Sequence, residues 1–212
     1  MKKPYLILSV VFNLATAILV ALAVGSFFTT GGAGNMDVAG TRCFRYFTID
    51  SNVLAGIVSL ASAYFSIRSL RGGEGSAWAD RLKYVGTVAV AVTFLTVVFF
   101  LGPTQGYAKM FSGATFPLHL VCPLLAIISF VFLDSRRQIS LRETLLGLIP
   151  TALYGIVYLI MVLIIGWQNG GWVDFYGFNR GGMWYISMPA MLIATWVISY
   201  LLSLGRRIFR EK

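Results

Sequence analysis

Residues 5–28 read YLILSVVFNLATAILVALAVGSFF, a run without a single charged side chain. A helix needs about 20 predominantly apolar residues to cross the ~30 Å hydrocarbon layer of a bilayer. Five further runs have the same character, and the six candidate helices cover about residues 5–28, 48–67, 84–101, 116–133, 145–167 and 183–204. The sequence therefore predicts one all-α integral-membrane domain over residues 1–212, a bundle of six transmembrane helices.

The composition of the whole chain also indicates a bilayer as the solvent. Hydrophobic side chains make up 58% of the 212 residues, charged side chains only 12%, and the mean hydropathy is +0.79. The first run is longer than the apolar core of a signal peptide, and no small-residue cleavage site with a soluble domain follows it. We expect this run to remain as the first helix.

The positive charges of the chain alternate between successive connections. Four Lys and Arg residues fall in the first, third and fifth connections, and thirteen fall at the termini and in the second and fourth connections. These thirteen are Lys2, Lys3, Arg68, Arg71, Arg81, Lys83, Arg136, Arg137, Arg142, Arg206, Arg207, Arg210 and Lys212. Because positive charge is retained in the cytoplasm, both termini are predicted to be cytoplasmic, in a plasma membrane or a bacterial inner membrane. The net charge of +9 thus reports topology and indicates no nucleic-acid partner.

Cysteine and histidine are too few and too scattered for a metal site. Cys43 and Cys122 form no CxxC pair, and His119 is the only histidine. We expect no metal, no haem and no other cofactor. Two unpaired thiols are predicted, with a Cys43–Cys122 disulfide as the minor alternative; the sequence leaves the oligomeric state open.

The second run carries a stripe of small and polar residues at helical spacing. From Thr48 the stripe continues through Asn52, Ala55, Ser59, Ser62 and Ser66. Small residues allow helices to approach closely in a membrane, so the stripe is predicted to face other helices. Helix packing alone explains most of it, and Thr48 at its start is predicted to look into the bundle.

Thr48 and His119 are predicted to share a pocket. Their two helices run in the same direction, and at 1.5 Å per residue their depths differ by only about 7 or 8 Å. An imidazole within hydrogen-bond reach can remove the proton of a threonine hydroxyl, which is the chemistry of acyl transfer. Asn52 on the same face, or Tyr154 or Tyr158 of the fifth run, could orient the base or bind an oxyanion.

Simpler interpretations of the same residues stay open at this stage. The Thr48 hydroxyl could cap the first turn of its helix. His119 could be a hydrogen-bonded core residue or lie at a wet interface. Residues 166–180, which are rich in glycine and aromatic side chains, could form an aromatic belt at the headgroups. Alternatively they form a lid over a lipid-binding mouth, lined by Trp172, Asp174 and Tyr176.

Three segments of the chain resemble the androgen-induced and androgen-dependent integral-membrane hydrolases and their bacterial six-helix relatives. The segments are residues 44–52 around Thr48, residues 119–123 with their His-x-x-x-Pro pattern, and residues 154–176. The resemblance implies a threonine hydrolase of fatty acid esters of hydroxy fatty acids, with Thr48 as nucleophile and His119 as base. Asp50 and the Val173–Asp174 pair depart from the family pattern, so the substrate does not transfer directly.

Two classes of function therefore compete. The first is an ester hydrolase that takes a membrane lipid or fatty-acid ester through a Thr48–His119 dyad open to the outer leaflet. The second is a non-enzymatic membrane protein, either a small-solute transporter or a lipid-binding protein, in which the same polar residues line a passage or hold a headgroup.

Overall fold

The computed structural model describes residues 3–29, 39–134 and 137–209, and this part of the chain is helical without any β-strand. Six main helices follow one another: α1 Lys3–Thr29, α2 Phe47–Leu70, α3 Ala77–Gln105, α4 Pro117–Leu133, α5 Arg142–Ile165 and α6 Trp184–Ile208. Short helical turns precede α2 at Gly40–Arg45 and follow α3 at Tyr107–Met110. The predicted all-α class is confirmed for the described residues.

Five of the six helices are long and apolar enough to cross a membrane. They contain 24 to 29 residues each, which corresponds to about 36 Å or more at 1.5 Å per residue. The remaining helix, α4, is apolar but has only 17 residues. Large aliphatic side chains lie exposed along the outside of the helices, where lipid tails would solvate them, among them Ile18, Leu22, Ile57, Leu153, Ile164 and Ile193.

Helix α3 lies at the centre of the arrangement. It contacts α2, α4, α5 and α6, while α1 packs along α2 and also touches α4. Close approach of α2 and α3 depends on Gly86, because a Cβ atom there would lie 2.6 Å from Val58 Cγ2. The polar stripe of α2 faces this interior as predicted: its members are buried except for Ser62, which is half-buried.

The start of α3 differs from the prediction. The helix begins at Ala77, seven residues before the predicted start at residue 84, and the Ser76 hydroxyl accepts from the Ala79 amide as an N-cap. Lys83, assigned from sequence to a charged connection, therefore lies in the second turn of α3. Its side chain is buried, with only 1% of the residue exposed.

Lys83 belongs to a buried polar network between α1, α2, α3 and α4. Its Nζ donates to Asn13 Oδ1 at 2.6 Å and to Ser59 Oγ at 2.9 Å, and lies 4.0 Å from Asp134 Oδ2. Asp134 in turn accepts from Ser9, Asn13 and Ser129 at 2.7 to 2.8 Å. The two charged members, Lys83 and Asp134, therefore have each other as opposite charges and are both hydrogen-bonded. A charge buried in a bilayer requires such partners.

One apolar layer separates this network from the other end of the bundle. It consists of Ala55, Val90 and Ala126, which pack together in the middle of α2, α3 and α4. We name the two regions on either side of this layer the Lys83 end and the Thr48 end. At the Lys83 end lie Arg68, Arg71 and Arg81; Lys2, Arg136, Arg210 and Lys212 of the predicted charge pattern lie outside the described residues.

Both cysteines are free and buried, which contradicts the alternative of a disulfide between them. Cys43 is fully buried in the turn before α2, and burial, followed by the nearby Asp50 carboxylate, raises the pKa of its thiol. The thiolate is the reactive form of cysteine, so a raised pKa leaves less of it at neutral pH.

Native Cys122→Ala protein is therefore expected to react slowly with maleimide through Cys43. At pH 7.5 the rate should be at least about tenfold below that of the same variant unfolded in dodecyl sulfate. Raising the pH should increase the thiolate fraction and the native rate. Mass spectrometry of unreduced, unfolded wild-type protein should find two labels, whereas zero labels would reveal a disulfide.

Candidate functional site

Thr48 is the second residue of α2 and does not cap that helix. The residue before α2, Tyr46, has extended backbone angles (φ −104°, ψ 127°), and no side chain caps the first turn from the N-cap position. The interpretation of Thr48 as a capping residue is therefore wrong. Its side chain is 5% exposed and looks into the bundle.

His119 lies on a widened turn at the start of α4. Residues Pro117–Val121 adopt the π pattern, in which the Cys122 amide donates to the Pro117 carbonyl five residues back. In an ordinary α-helix the amide of residue 123 would donate to the His119 carbonyl. Pro123 has no amide hydrogen, so this hydrogen bond is absent. Such π turns inside α-helices are frequent at functional sites.

The tautomer of His119 follows from its one hydrogen bond. Nδ1 lies 2.6 Å from the Met110 carbonyl oxygen, which can only accept, so Nδ1 carries the hydrogen. The other nitrogen, Nε2, then holds a lone pair. Nε2 is buried and has no hydrogen-bond partner among the described residues. Its lone pair is therefore not engaged by any of these residues.

Asn52 ties the backbones of the two candidate residues together. Its Nδ2 donates to the carbonyl oxygen of Thr48 at 2.7 Å and to that of Leu118, the neighbour of His119, at 3.0 Å. Both amide hydrogens are thereby committed. Asn52 is not hydrogen-bonded to the His119 ring and lines neither of the two cavities at Thr48, so its role is to fix α2 against α4 at this level.

Two cavities meet at Thr48. The larger, of about 410 Å³, is mostly apolar and lies between α2, α3, α5 and α6. The smaller, of about 200 Å³, is lined by Thr48 and His119 together. Three residues line both cavities: Thr48, Leu101 and Tyr176. The structure therefore brings Thr48 and His119 to the wall of one cavity and opens a second, apolar space beside Thr48.

The two tyrosines of α5 take different positions. Tyr154 lines the larger cavity, and its hydroxyl donates to the Arg45 carbonyl at 2.5 Å. Tyr158 is fully buried behind it, and its hydroxyl donates to Asp174 Oδ1 at 2.8 Å. Neither hydroxyl is hydrogen-bonded to His119.

The loop after α5 packs inward on an aromatic cluster. Trp172 lies against the rings of Tyr154 and Tyr158. Asp174 holds the loop in shape by accepting from Tyr158 and from the Asn179 amide. Of the three predicted loop residues, Tyr176 lines the cavities, whereas Trp172 and Asp174 lie behind the wall. Trp167 at the start of the loop is 66% exposed, as expected of a headgroup-level aromatic residue.

Several residues at this site have no signal in the sequence. The Met110 carbonyl that orients His119 belongs to a short helix in the third connection. Gln105 and Lys109 from the same region line the smaller cavity. Asp50, the residue that departs from the family pattern, is half-buried and lines neither cavity.

No protein-family model, curated protein or solved structure matches this chain.

Proposed function

We propose that the protein is an integral-membrane ester hydrolase in which Thr48 is the nucleophile and His119 the general base. The observation that carries the proposal is the buried, unpartnered Nε2 of His119 on the same cavity wall as Thr48. A hydroxyl becomes a competent nucleophile when such a base removes its proton. Neither step needs a metal or another cofactor.

The reaction divides into two balanced half-reactions. Thr48 Oγ1 attacks the ester carbonyl while His119 Nε2 takes its proton; the bond to the alcohol oxygen then breaks, and Nε2 returns the proton to that oxygen. Water attacks the acyl–Thr48 ester with its proton passing to Nε2, the bond to Oγ1 breaks, and Oγ1 regains the proton. The products are a carboxylic acid and an alcohol.

The positions of the cavities assign the two halves of the substrate. Since His119 must protonate the leaving oxygen, the alcohol half belongs in the smaller cavity beside it. The acyl chain then extends into the larger, apolar cavity, whose 410 Å³ lies within the range of small-molecule sites. A lipid or fatty-acid ester suits this division, and its acyl chain would enter from the membrane.

We propose with this function a topology of six spans, in which the short α4 crosses the membrane in addition to the five long helices. Both termini are then in the cytoplasm. Arg68, Arg71 and Arg81 at the Lys83 end support that orientation. In it, the Thr48 end opens to the outer leaflet of a cell membrane. The short α4 has 17 residues and a length of about 25 Å. The third connection meets its start through the Met110 carbonyl.

A second candidate is a small-solute transporter, and one observation favours it. A cavity of about 370 Å³ at the Lys83 end reaches the buried Asp134, and its polar lining residues include Ser62, Ser66, Ser69, Ser76 and Asp80. Cavities at both ends with an apolar layer between them also suit alternating access. In that case the polar residues of the Thr48 end would line a passage.

A fluorophosphonate probe separates the two candidates. Wild-type protein in detergent is expected to form a covalent phosphonyl adduct at Thr48, because the probe reports a hydroxyl activated by a base. Peptide mapping by mass spectrometry should find the adduct on the peptide that contains Thr48. Thr48→Ala should remain unlabelled, and Thr104→Ala, which alters an exposed threonine of α3, should be labelled like wild type.

Absence of labelling in folded wild-type protein would argue against the hydrolase. The transporter would gain support if Thr48→Ala and His119→Ala left hydrolysis unchanged while altering solute flux into proteoliposomes.

A further inference from the structure

An acyl-transfer site needs hydrogen-bond donors for the oxyanion, and the obvious side chains near Thr48 are already engaged. Asn52 has committed both amide hydrogens to carbonyl oxygens, and Tyr154 donates to the Arg45 carbonyl. Removing one oxyanion donor typically costs about 10²- to 10³-fold in rate. The donors of this site must therefore come from elsewhere in the wall.

Tyr176 has a hydroxyl in the right place. It lines both cavities, and its oxygen accepts from the Phe47 amide, one residue before Thr48, at 3.1 Å. The neighbouring Tyr154 hydroxyl also interacts with the Tyr176 hydroxyl. Burial raises the pKa of the phenol above its ordinary value, so at neutral pH the group keeps its hydrogen and can donate it.

The loop holds Tyr176 in this position from behind. Its backbone amide donates to the Tyr158 hydroxyl at 3.0 Å, and Tyr158 is fixed in turn by Asp174. The ring also packs against Phe175 and Phe178. Preorganised donors of this kind need no rearrangement when charge develops, which is the physical source of oxyanion stabilisation.

The Thr48 amide is a second donor at the same point. Thr48 is the second residue of α2, so no carbonyl lies four residues before it within the helix. The amides on either side of it have acceptors: the Phe47 amide donates to the Tyr176 hydroxyl, and the Ile49 amide donates to the Tyr46 carbonyl at 2.9 Å. The positive end of the α2 dipole adds to the attraction for an anion, and His119 lines the smaller cavity together with Thr48.

We infer that the Tyr176 hydroxyl and the Thr48 amide form the oxyanion hole of this site, with Tyr176 as a further catalytic residue. The inference rests on the proposed hydrolase function. When Thr48 Oγ1 bonds to the carbonyl carbon, the carbonyl oxygen takes the electron pair and lies between these two donors. The acyl chain remains in the larger cavity and the alcohol in the smaller one.

The test compares Tyr176→Phe with wild type on a medium-chain acyl ester and on a trifluoromethyl ketone with the same chain. The ketone forms a tetrahedral adduct with the nucleophile and so reports oxyanion binding. We expect kcat and ketone affinity both to fall by about 10²-fold with KM unchanged, because the donor acts only in the transition state. Tyr64→Phe, on the exposed face of α2, is the matched control and should behave like wild type.

A second variant separates donation from packing. Replacing Tyr176 by 3-fluorotyrosine keeps the ring and makes the hydroxyl more acidic, so kcat and ketone affinity should stay at or above wild-type values. Loss of activity in this variant would overturn the inference, as would a rise in KM alone in Tyr176→Phe. If Thr48→Ala hydrolyses the ester as fast as wild type, the hydrolase proposal itself fails; if Thr48→Ala is inactive and Tyr176→Phe fully active, only the oxyanion assignment fails.

Discussion

Thr48→Ala is expected to lose at least about 10³-fold in kcat for ester hydrolysis, because no other serine or threonine among the described residues lines both cavities. His119→Ala should lose a comparable factor, since without Nε2 nothing takes the proton of the nucleophile. The measurement is release of fatty acid from a medium-chain ester by purified protein in detergent. The two residues act on one proton, so the double variant should be little worse than either single one.

Two conservative substitutions, Thr48→Ser and His119→Gln, test the chemical role of each side chain. Thr48→Ser keeps a hydroxyl at the same point and should retain activity within about tenfold of wild type. His119→Gln keeps a polar side chain of similar reach but no basic nitrogen, so it should be as inactive as His119→Ala. Full activity in His119→Gln would mean that the imidazole is a structural residue, bonded to the Met110 carbonyl and nothing more.

The second large effect concerns stability and lies at the other end of the bundle. Lys83→Met removes the ammonium that lies 4.0 Å from the buried Asp134 carboxylate, and Asp134→Asn removes that negative charge from beside the buried Lys83. Breaking a buried pair by removing one partner costs about 3–5 kcal/mol. Each single variant is expected to lose that much in free energy of unfolding, measured by thermal or denaturant unfolding in detergent.

The double variant distinguishes an ion pair from two independent contacts. Replacing both charged side chains by neutral ones, as in Lys83→Met with Asp134→Asn, removes the uncompensated charge and should recover part of the loss. Arg81→Gln provides the control: Arg81 pairs with Glu143 at 2.7 Å but is 48% exposed, so its loss should cost no more than about 1 kcal/mol. Additive losses at Lys83 and Asp134 would show that the two charges do not stabilise each other.

Helix positions could be read from the sequence wherever hydropathy alone decides them. The first run was predicted at residues 5–28 and forms Lys3–Thr29, because every window along it is apolar. The start of α3 was missed because Asp80, Arg81 and Lys83 lower the local hydropathy. The Ser76 cap was a usable signal there, since a hydroxyl residue just before a helical segment marks its beginning.

The candidate site could be predicted only in part. Helical spacing places Thr48 and Asn52 on the same face of their helix, and a depth within about 7 or 8 Å of Thr48 predicts that His119 lies near them. Both predictions follow from helix geometry. The role of Asn52 could not be predicted, because its partner, the Leu118 carbonyl, is 66 residues away in the chain. The same holds for Tyr176, whose contact with Phe47 spans 129 residues.

The sequence by itself determined that this protein is helical and that its helices are long and apolar enough for a membrane, because hydropathy and helical period are properties of each segment alone. The tertiary structure decided what the polar residues do. It buried Lys83 opposite Asp134, fixed the tautomer of His119 through a distant carbonyl, and set two cavities on either side of Thr48. These features depend on how separate helices pack against each other. Each of them joins residues from different segments, so no single segment of the sequence determines it.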